Sequence, residues 1–374
     1  MSYSSLGLGG SAPSAAGGRG PAEDDDDPPL PVLVGPPPVS APRDPSPVGN
    51  AAAALGDADH DHRLMEPSEL VIATSGQLAR RGVDRSAQSR LVARGELVRV
   101  SPGAYVEARS WDALGDRDRF VVAAQGVVAT RPGQLLVSHR SAAVLHGLPV
   151  VGGLPRRLDA LRADVSGGRS ETSVQSHRSR VPCGVVEIGD FCVTPLERTL
   201  VDVALAHPLV VSVPMLDHAL AHESTTIAAV EAELDPRRRH PGARRAAAAL
   251  GLATPASQSP LESLVQVRCF EGGWERPEQQ VRLPLLSGRR AVVDCLWRTT
   301  TRTPGPGLIV EADGRYEYGP LAGPMTGEEH WKEKLREDDL REQGYDFRRP
   351  TWDRAWNRAQ FETMMRGTGV RSIV

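Results

Sequence analysis

The feature that most constrains this chain is a carboxylate placed inside an apolar strand. Ala-Val-Val-Asp-Cys-Leu-Trp runs from Ala291 to Trp297, and Asp294 interrupts it. A charge in such a run costs on the order of several kcal/mol unless it is exposed, paired or bound to a cation. The segment has a partner: Gln280 to Leu285 and Ala291 to Trp297 flank Ser287-Gly288-Arg289-Arg290, the pattern of a β-hairpin. A further strand, Leu308 to Arg315, carries Glu311 and Asp313, and two-residue spacing puts both on one face. Upstream, Ser259 precedes Pro260 and Glu262 at the spacing of a helix start, so Glu262 reads either as a capping-box residue or as a further acid of the same group.

Acids on neighbouring strand ends make a hard oxygen cage suited to Mg²⁺ or Mn²⁺, with Asp294, Glu311 and Asp313 as the expected ligands. A metal so held polarises a phosphate and lowers the pKa of bound water. Glu328 to Tyr345 follows as a helix by composition, closed by Gly344. Lys332 and Lys334 lie in it, and the other 42 of the chain's 44 basic residues are arginine. A compact ammonium in so arginine-biased a sequence suits a water-orienting or phosphate-binding role, for which Lys334 is the first choice. For either lysine taken alone, the commoner explanation is a solvated residue paired at i,i+4.

The order of elements is helix with Glu262, hairpin with Asp294, strand with Glu311 and Asp313, basic helix, then strand. Over Ser259 to Asp353 this order resembles the Vsr-like branch of the PD-(D/E)XK nucleases. That resemblance implies a restriction-endonuclease-like mixed sheet flanked by helices, Mg²⁺, and cleavage of DNA. Catalytic roles would fall to Glu262, Asp294, Glu311, Asp313 and Lys334. The chain departs from the superfamily in having Asp313 where a lysine is usual. The residues do not distinguish DNA from RNA as substrate.

Ser75 to Val106 carries a different signal. Ser75 starts a short helix closed by Gly82, Asp84 caps a second helix that stops at Gly95, and two strands joined by Ser101-Pro102-Gly103 supply a wing. Seven arginines oppose three acids between Ser75 and Ser110. Such a winged helix-turn-helix would present Arg85, Gln88, Ser89 and Arg90, with Arg99 on the wing, to phosphates or base edges. The string resembles the amino-terminal domain of AbiEi-type antitoxins of type IV toxin–antitoxin systems. The likeness continues through Ser138 to Val150 and Val193 to Leu205. It implies DNA as a partner, with a cognate toxin or a homodimer partner besides.

The fold class expected is α+β multidomain. Residues 1–65, rich in Gly, Pro and Ala with an acidic run at Asp24 to Asp27, lack the apolar periodicity that offsets ordering entropy and read as a disordered tail. The winged helix-turn-helix spans 66–110, a mixed α/β middle region 111–253, and the nuclease-like block 254–374, divided at Thr254 to Ser259. A formal net charge of -3 excludes a globally basic nucleic-acid coat and permits a local patch. Cys183, Cys192, Cys269 and Cys295 show no paired spacing, and no apolar run reaches membrane length, so a cytoplasmic protein without membrane contact is expected. His218 and His222 lack a third ligand, and His139 and His146 read as structural. The leading functional expectation is a Mg²⁺-dependent endonuclease with a DNA-binding head. Its rival is a non-enzymatic repressor or antitoxin whose nuclease-like domain is inactive.

Overall fold

The computed structural model describes residues 71–162, 172–179, 181–298, 305–312 and 327–373. The tail expected over 1–65 and Asp313 lie outside the described residues. The described chain is α+β, with three sheets.

The head begins with β1 (Ala73–Thr74), α1 (Ser75–Arg80), α2 (Arg85–Ala93), β2 (Leu97–Ser101) and β3 (Ala104–Glu107). Its sheet order is β1-β3-β2, all antiparallel. Thr74, not Ser75, caps α1: its hydroxyl accepts from Gln77 N at 3.2 Å while the Gln77 side chain accepts from Thr74 N at 2.7 Å. Ser75 is spent otherwise, donating to Gln88 Oε1 at 3.1 Å. Asp84 caps α2 as expected, accepting from Ala87 N at 2.7 Å.

Next come α3 (Ala108–Asp112) and α4 (Asp116–Ala129). The apolar run from Phe120 to Val128 therefore belongs to a helix, and that helix lies on the hairpin. At Gly126 a Cβ would meet Ser101 Oγ at 2.9 Å, Ala104 Cβ at 3.0 Å and Val100 Cγ2 at 3.1 Å, so the backbones approach as closely as glycine alone permits.

The middle region contributes β4 (Leu136–Val137), α5 (His139–Leu145), β5 (Leu158–Arg162), β6 (Val174–Arg178), β7 (Val186–Ile188) and β8 (Phe191–Val193). They form a mixed sheet in the order β6-β5-β4-β8-β7. His139 starts α5 at φ 51°. Its ring stacks on His177 at 3.6 Å, and His177 Nε2 stands 2.8 Å from Asp159 Oδ1. His146 Nε2 lies 2.8 Å from the Thr194 carbonyl. Both histidines of the α5 segment thus fasten it to the sheet. Four helices follow: α6 (Leu196–Ala206), α7 (Leu209–Ala221), α8 (Ile227–Leu234) and α9 (Ala243–Leu252).

The carboxyl-terminal block is α10 (Pro260–Glu271), β9 (Glu278–Pro284), β10 (Arg290–Trp297), β11 (Leu308–Val310), α11 (Gly327–Glu342), β12 (Asp346–Arg348), α12 (Trp352–Trp356) and α13 (Arg358–Arg366). The sheet runs β12-β11-β10-β9, with β11 and β12 parallel and the other pairs antiparallel. Leu340 of α11 packs with Val293, Ile309 and Phe347 on one face. Cys295, Trp297, Leu308 and Val310 pack on the other, in a core shared with Leu264, Val267, Phe361 and Met365. That same core includes Val213 and Leu216 of α7 and Leu250 of α9. Thr254 to Ser259 is therefore a turn within one continuous core rather than a gap between two. The final helices α12 and α13 are separated at Asn357, whose side chain caps the second.

Asp217 stitches this junction. It is 1 % exposed, accepting from Thr254 N at 2.8 Å and from Ser263 Oγ at 2.7 Å. Burial pushes its carboxyl up from 3.8 to about 6, against those hydrogen bonds. Because the folded value is raised, the folded chain binds this proton more tightly than the unfolded chain. Stability from this group is complete below the unfolded value and is lost as pH rises through about 6. Asp217→Asn can keep both contacts and removes the titration. In urea unfolding followed from about pH 4 to 7, wild type should lose about 3 kcal/mol more than Asp217→Asn. Parallel stability curves for the two proteins would refute the assignment.

Candidate functional site

Two groups of candidate residues stand out, on the head and on the carboxyl-terminal sheet. On the head, Arg85, Ser89 and Arg90 are exposed along α2 and Arg99 is exposed on β2. Arg80, Arg81 and Arg109 are exposed too, while Arg94 is drawn to Glu96 at 2.6 Å. Gln88 departs from expectation. It is 2 % exposed, and its amide donates to the carbonyls of Val83 at 2.9 Å and Ser75 at 3.3 Å. The Gln88 side chain therefore locks the turn between α1 and α2 and has no atom left to read a base. Its position in the first turn of α2 carries no sign of this in the sequence.

On the carboxyl-terminal sheet the hairpin ladder keeps one register from Arg290↔Pro284 to Leu296↔Glu278, with a single gap at Gln280 and Asp294. Gln280 takes φ 51°, a left-handed conformation costing about 1–2 kcal/mol for a non-glycine residue. The strand turns over at this point. Ala291 and Val293 join the core beneath α11, whereas Cys295 and Trp297 join the core around α10. The distortion releases the Asp294 side chain from the ladder. Its Oδ2 accepts from Ala312 N at 2.8 Å, and Oδ1 stands 3.5 Å from Gln280 Nε2.

Gln280 also donates to Glu262 Oε2 at 2.9 Å, so one amide joins two acids from different elements. The Glu262 carboxylate, 3 % exposed, additionally accepts from Gln258 N at 3.0 Å. Ser259 caps α10 through Glu262 N at 3.2 Å, but the Glu262 carboxylate turns to Gln258 N and Gln280 rather than closing a capping box on Ser259 N. Glu311, 7 % exposed, follows directly after β11. Burial raises the pKa of Glu262, Asp294 and Glu311 alike, and the Asp294 charge raises those of Glu262 and Glu311 further.

The cation facing them is an arginine. Arg336 of α11 stands 3.1 Å from Glu311 Oε1, and its guanidinium is held from behind by Glu333 at 2.5 Å. Arg349 binds the same Glu333 at 2.9 Å. Lys334 does not reach this group. It is exposed, with its ammonium 5.9 Å from the Trp331 ring, and two residues from Arg336 places it about 200° round the helix. Lys332 is exposed as well, paired with Glu328 at 2.7 Å. The cation beside the acids is therefore Arg336 and neither lysine. Arg336 sits at i+3 from Glu333 and four before Leu340, on the helix face that packs, and that spacing was the signal available.

The donor set fits a hard divalent cation in chemistry: two adjacent carboxylates, with Glu311 Oε1 buried and lacking a hydrogen bond. Among the described residues no three His, Cys, Asp or Glu side chains are grouped to hold a metal ion. Asp313, the third ligand expected, lies outside those residues. Also among the described residues, no helix is long and apolar enough to cross a membrane.

Comparison with known proteins bears on the head. No curated protein matches the chain. Among solved structures, the chain is similar to the RV2827C protein from Mycobacterium tuberculosis at 16% identity, over 49% of this chain and 77% of that one. The TM-score is 0.31, at which the two folds are not equated. Residues 67–108 match the family described as transcriptional regulator, AbiEi antitoxin. That segment takes in α1, α2, β2 and β3, so the winged head of this chain is similar to that of an antitoxin regulator.

Proposed function

We propose that the protein is a DNA-binding transcriptional regulator of the antitoxin type, contacting duplex DNA through α2 and the β2–β3 wing. The observation that carries this reading is the arginine-lined solvent face of α2 inside the segment that resembles AbiEi antitoxin regulators. Arg85 and Arg90 are positioned to meet phosphates or guanine edges in a major groove, with Ser89 between them and Arg99 following the backbone from the wing. A toxin partner belongs to the same reading.

The test begins with duplexes selected from a random pool and measured by fluorescence anisotropy at several salt concentrations. Arg85→Ala should cost about 1–3 kcal/mol with relaxed sequence preference if it reads a base. If it meets a phosphate, the loss should be even across sequences, with the salt slope reduced by about one. Gln88→Ala should instead lower stability by about 1–3 kcal/mol through its stranded partners, leaving sequence preference in place. Salt-independent binding, or no selected sequence at all, would defeat the proposal.

A second reading is favoured by the convergence of Glu262, Asp294 and Glu311: a metal-dependent nuclease domain of the Vsr-like type, acting on phosphodiester bonds. Asp294 and Glu311 would hold the ion, with Asp313 as a third ligand. Bound there, Mg²⁺ or Mn²⁺ supplies Lewis-acid polarisation of phosphate and a water of lowered pKa. Gln280 fixes Glu262 against Asp294, and Arg336 orients Glu311 and offers positive charge to a phosphate. Titration with Mn²⁺, read by electron paramagnetic resonance, should show one site in wild type. That site should weaken about tenfold or more in Asp294→Ala, alongside loss of Mg²⁺-dependent nicking. Equal Mn²⁺ binding by both proteins would remove this reading and leave the regulator alone.

A further inference from the structure

A cavity of about 680 Å³ lies where the wing turn, one face of α4 and the loop ahead of β5 meet. The volume is that of a small-molecule site. Phe120 and Ala123 of α4 and Leu154 of the loop give it an apolar wall, and Trp111 adds an indole. Arg119, Arg156 and Arg157 border it against a single acid, Asp116, so its field favours an anion. Arg119 already spends Nε and one terminal nitrogen on the carbonyls of Trp111 and Asp112, and its guanidinium lies 5.7 Å from the Trp111 ring. Arg156 is exposed at the mouth. Ser101, in the wing strand, is 8 % exposed, and its hydroxyl has no hydrogen-bond partner among the described residues. A buried hydroxyl so placed lacks an acceptor.

We propose that this cavity binds a small aromatic carboxylate, its ring against Trp111 and Phe120 and its charge toward Arg156 and Arg157. Val100 and Ser101, which line the cavity, also close on Gly126 of α4, where an added Cβ would meet both, so there is no slack between α4 and the hairpin. Occupancy is therefore felt by the wing. In that respect the inference rests on the regulator reading, since a wing ligand then acts as an effector of DNA binding.

The experiment uses the full chain, with anilinonaphthalene sulfonate as the fluorescent probe and salicylate as competitor. Binding should be saturable, displaced by salicylate, and at least about tenfold less sensitive to salicylamide, which has the same ring and no charge. Ala123→Trp fills the apolar wall and should weaken the probe about tenfold or more. Arg156→Glu, at an exposed position where folding is not at stake, should weaken it in the same direction. Amide hydrogen exchange across Leu97 to Glu107 should slow when salicylate is bound. Equal displacement by acid and amide, unchanged affinity in Arg156→Glu, or unaltered exchange in the wing would overturn the proposal. No readout involves DNA, so failure of operator binding would count against the regulator reading and leave this result standing.

Discussion

The structure depends on one apolar contact, the packing of α7 against α10. Val213, Met215 and Leu216 meet Leu261, Leu264 and Val265 there, all buried, in a core that continues to Phe361 and Met365. At about 25 cal/mol per Å² of apolar surface removed from water, side chains of this size each contribute about 1.5–3 kcal/mol when fully buried. The middle helices and the carboxyl-terminal sheet therefore share their stabilisation. Asp217 is the polar cost of that arrangement. It lies in the same junction because the backbone of Thr254 and the hydroxyl of Ser263 must be satisfied where the chain turns from α9 into α10.

That shared core also explains how acids from three elements reach one place. The α10 helix is anchored on its apolar face, so Glu262 is delivered beside the sheet with no freedom to withdraw. The hairpin then breaks its own ladder at Gln280 and Asp294, and α11 closes over the group with Arg336. Without Arg336 the pair of Asp294 and Glu311 would be a buried like-charge contact. With it, a guanidinium faces the acids and the arrangement is tolerable. The cluster is thus built from packing inward, and its electrostatics follow from where packing sets the backbones.

Much of this was legible in the residues. The acid inside Ala291 to Trp297 marked a site because an apolar strand does not tolerate a charge cheaply, and the structure places Glu262 and Glu311 with it. Asp84, Gly82 and Gly95 fixed the head through caps and positive φ, which are local rules and need no tertiary knowledge. What escaped was set by contacts distant in sequence. Gln88 sits beside Ser89 and Arg90 in sequence but on the buried face of α2, where the turn consumes its amide, and only the packed head decides that. Lys334 was selected by rarity, which is a property of composition, whereas Arg336 was selected by orientation. The boundary expected at Thr254 to Ser259 followed a change in composition that the hydrophobic core ignores.

The two surfaces also differ in how they depart from ordinary folding rules. The head obeys them: capped helices, a glycine-closed turn, a hairpin of suitable length and a solvated arginine face, all consistent with one another. Among the described residues of the head no non-glycine residue takes a positive φ. The carboxyl-terminal group breaks several rules close together, with a left-handed Gln280, a missing ladder pair, buried Glu262 and Glu311 beside a half-buried Asp294, all three of raised pKa, and a Glu311 oxygen without a hydrogen bond. Hydrophobic replacements of similar size would relieve nearly all of that cost. Strain gathered so tightly in an otherwise regular sheet is a different kind of support from the pattern of the head. It ties the chemistry of this block to the acids themselves, whichever ligand or partner they meet.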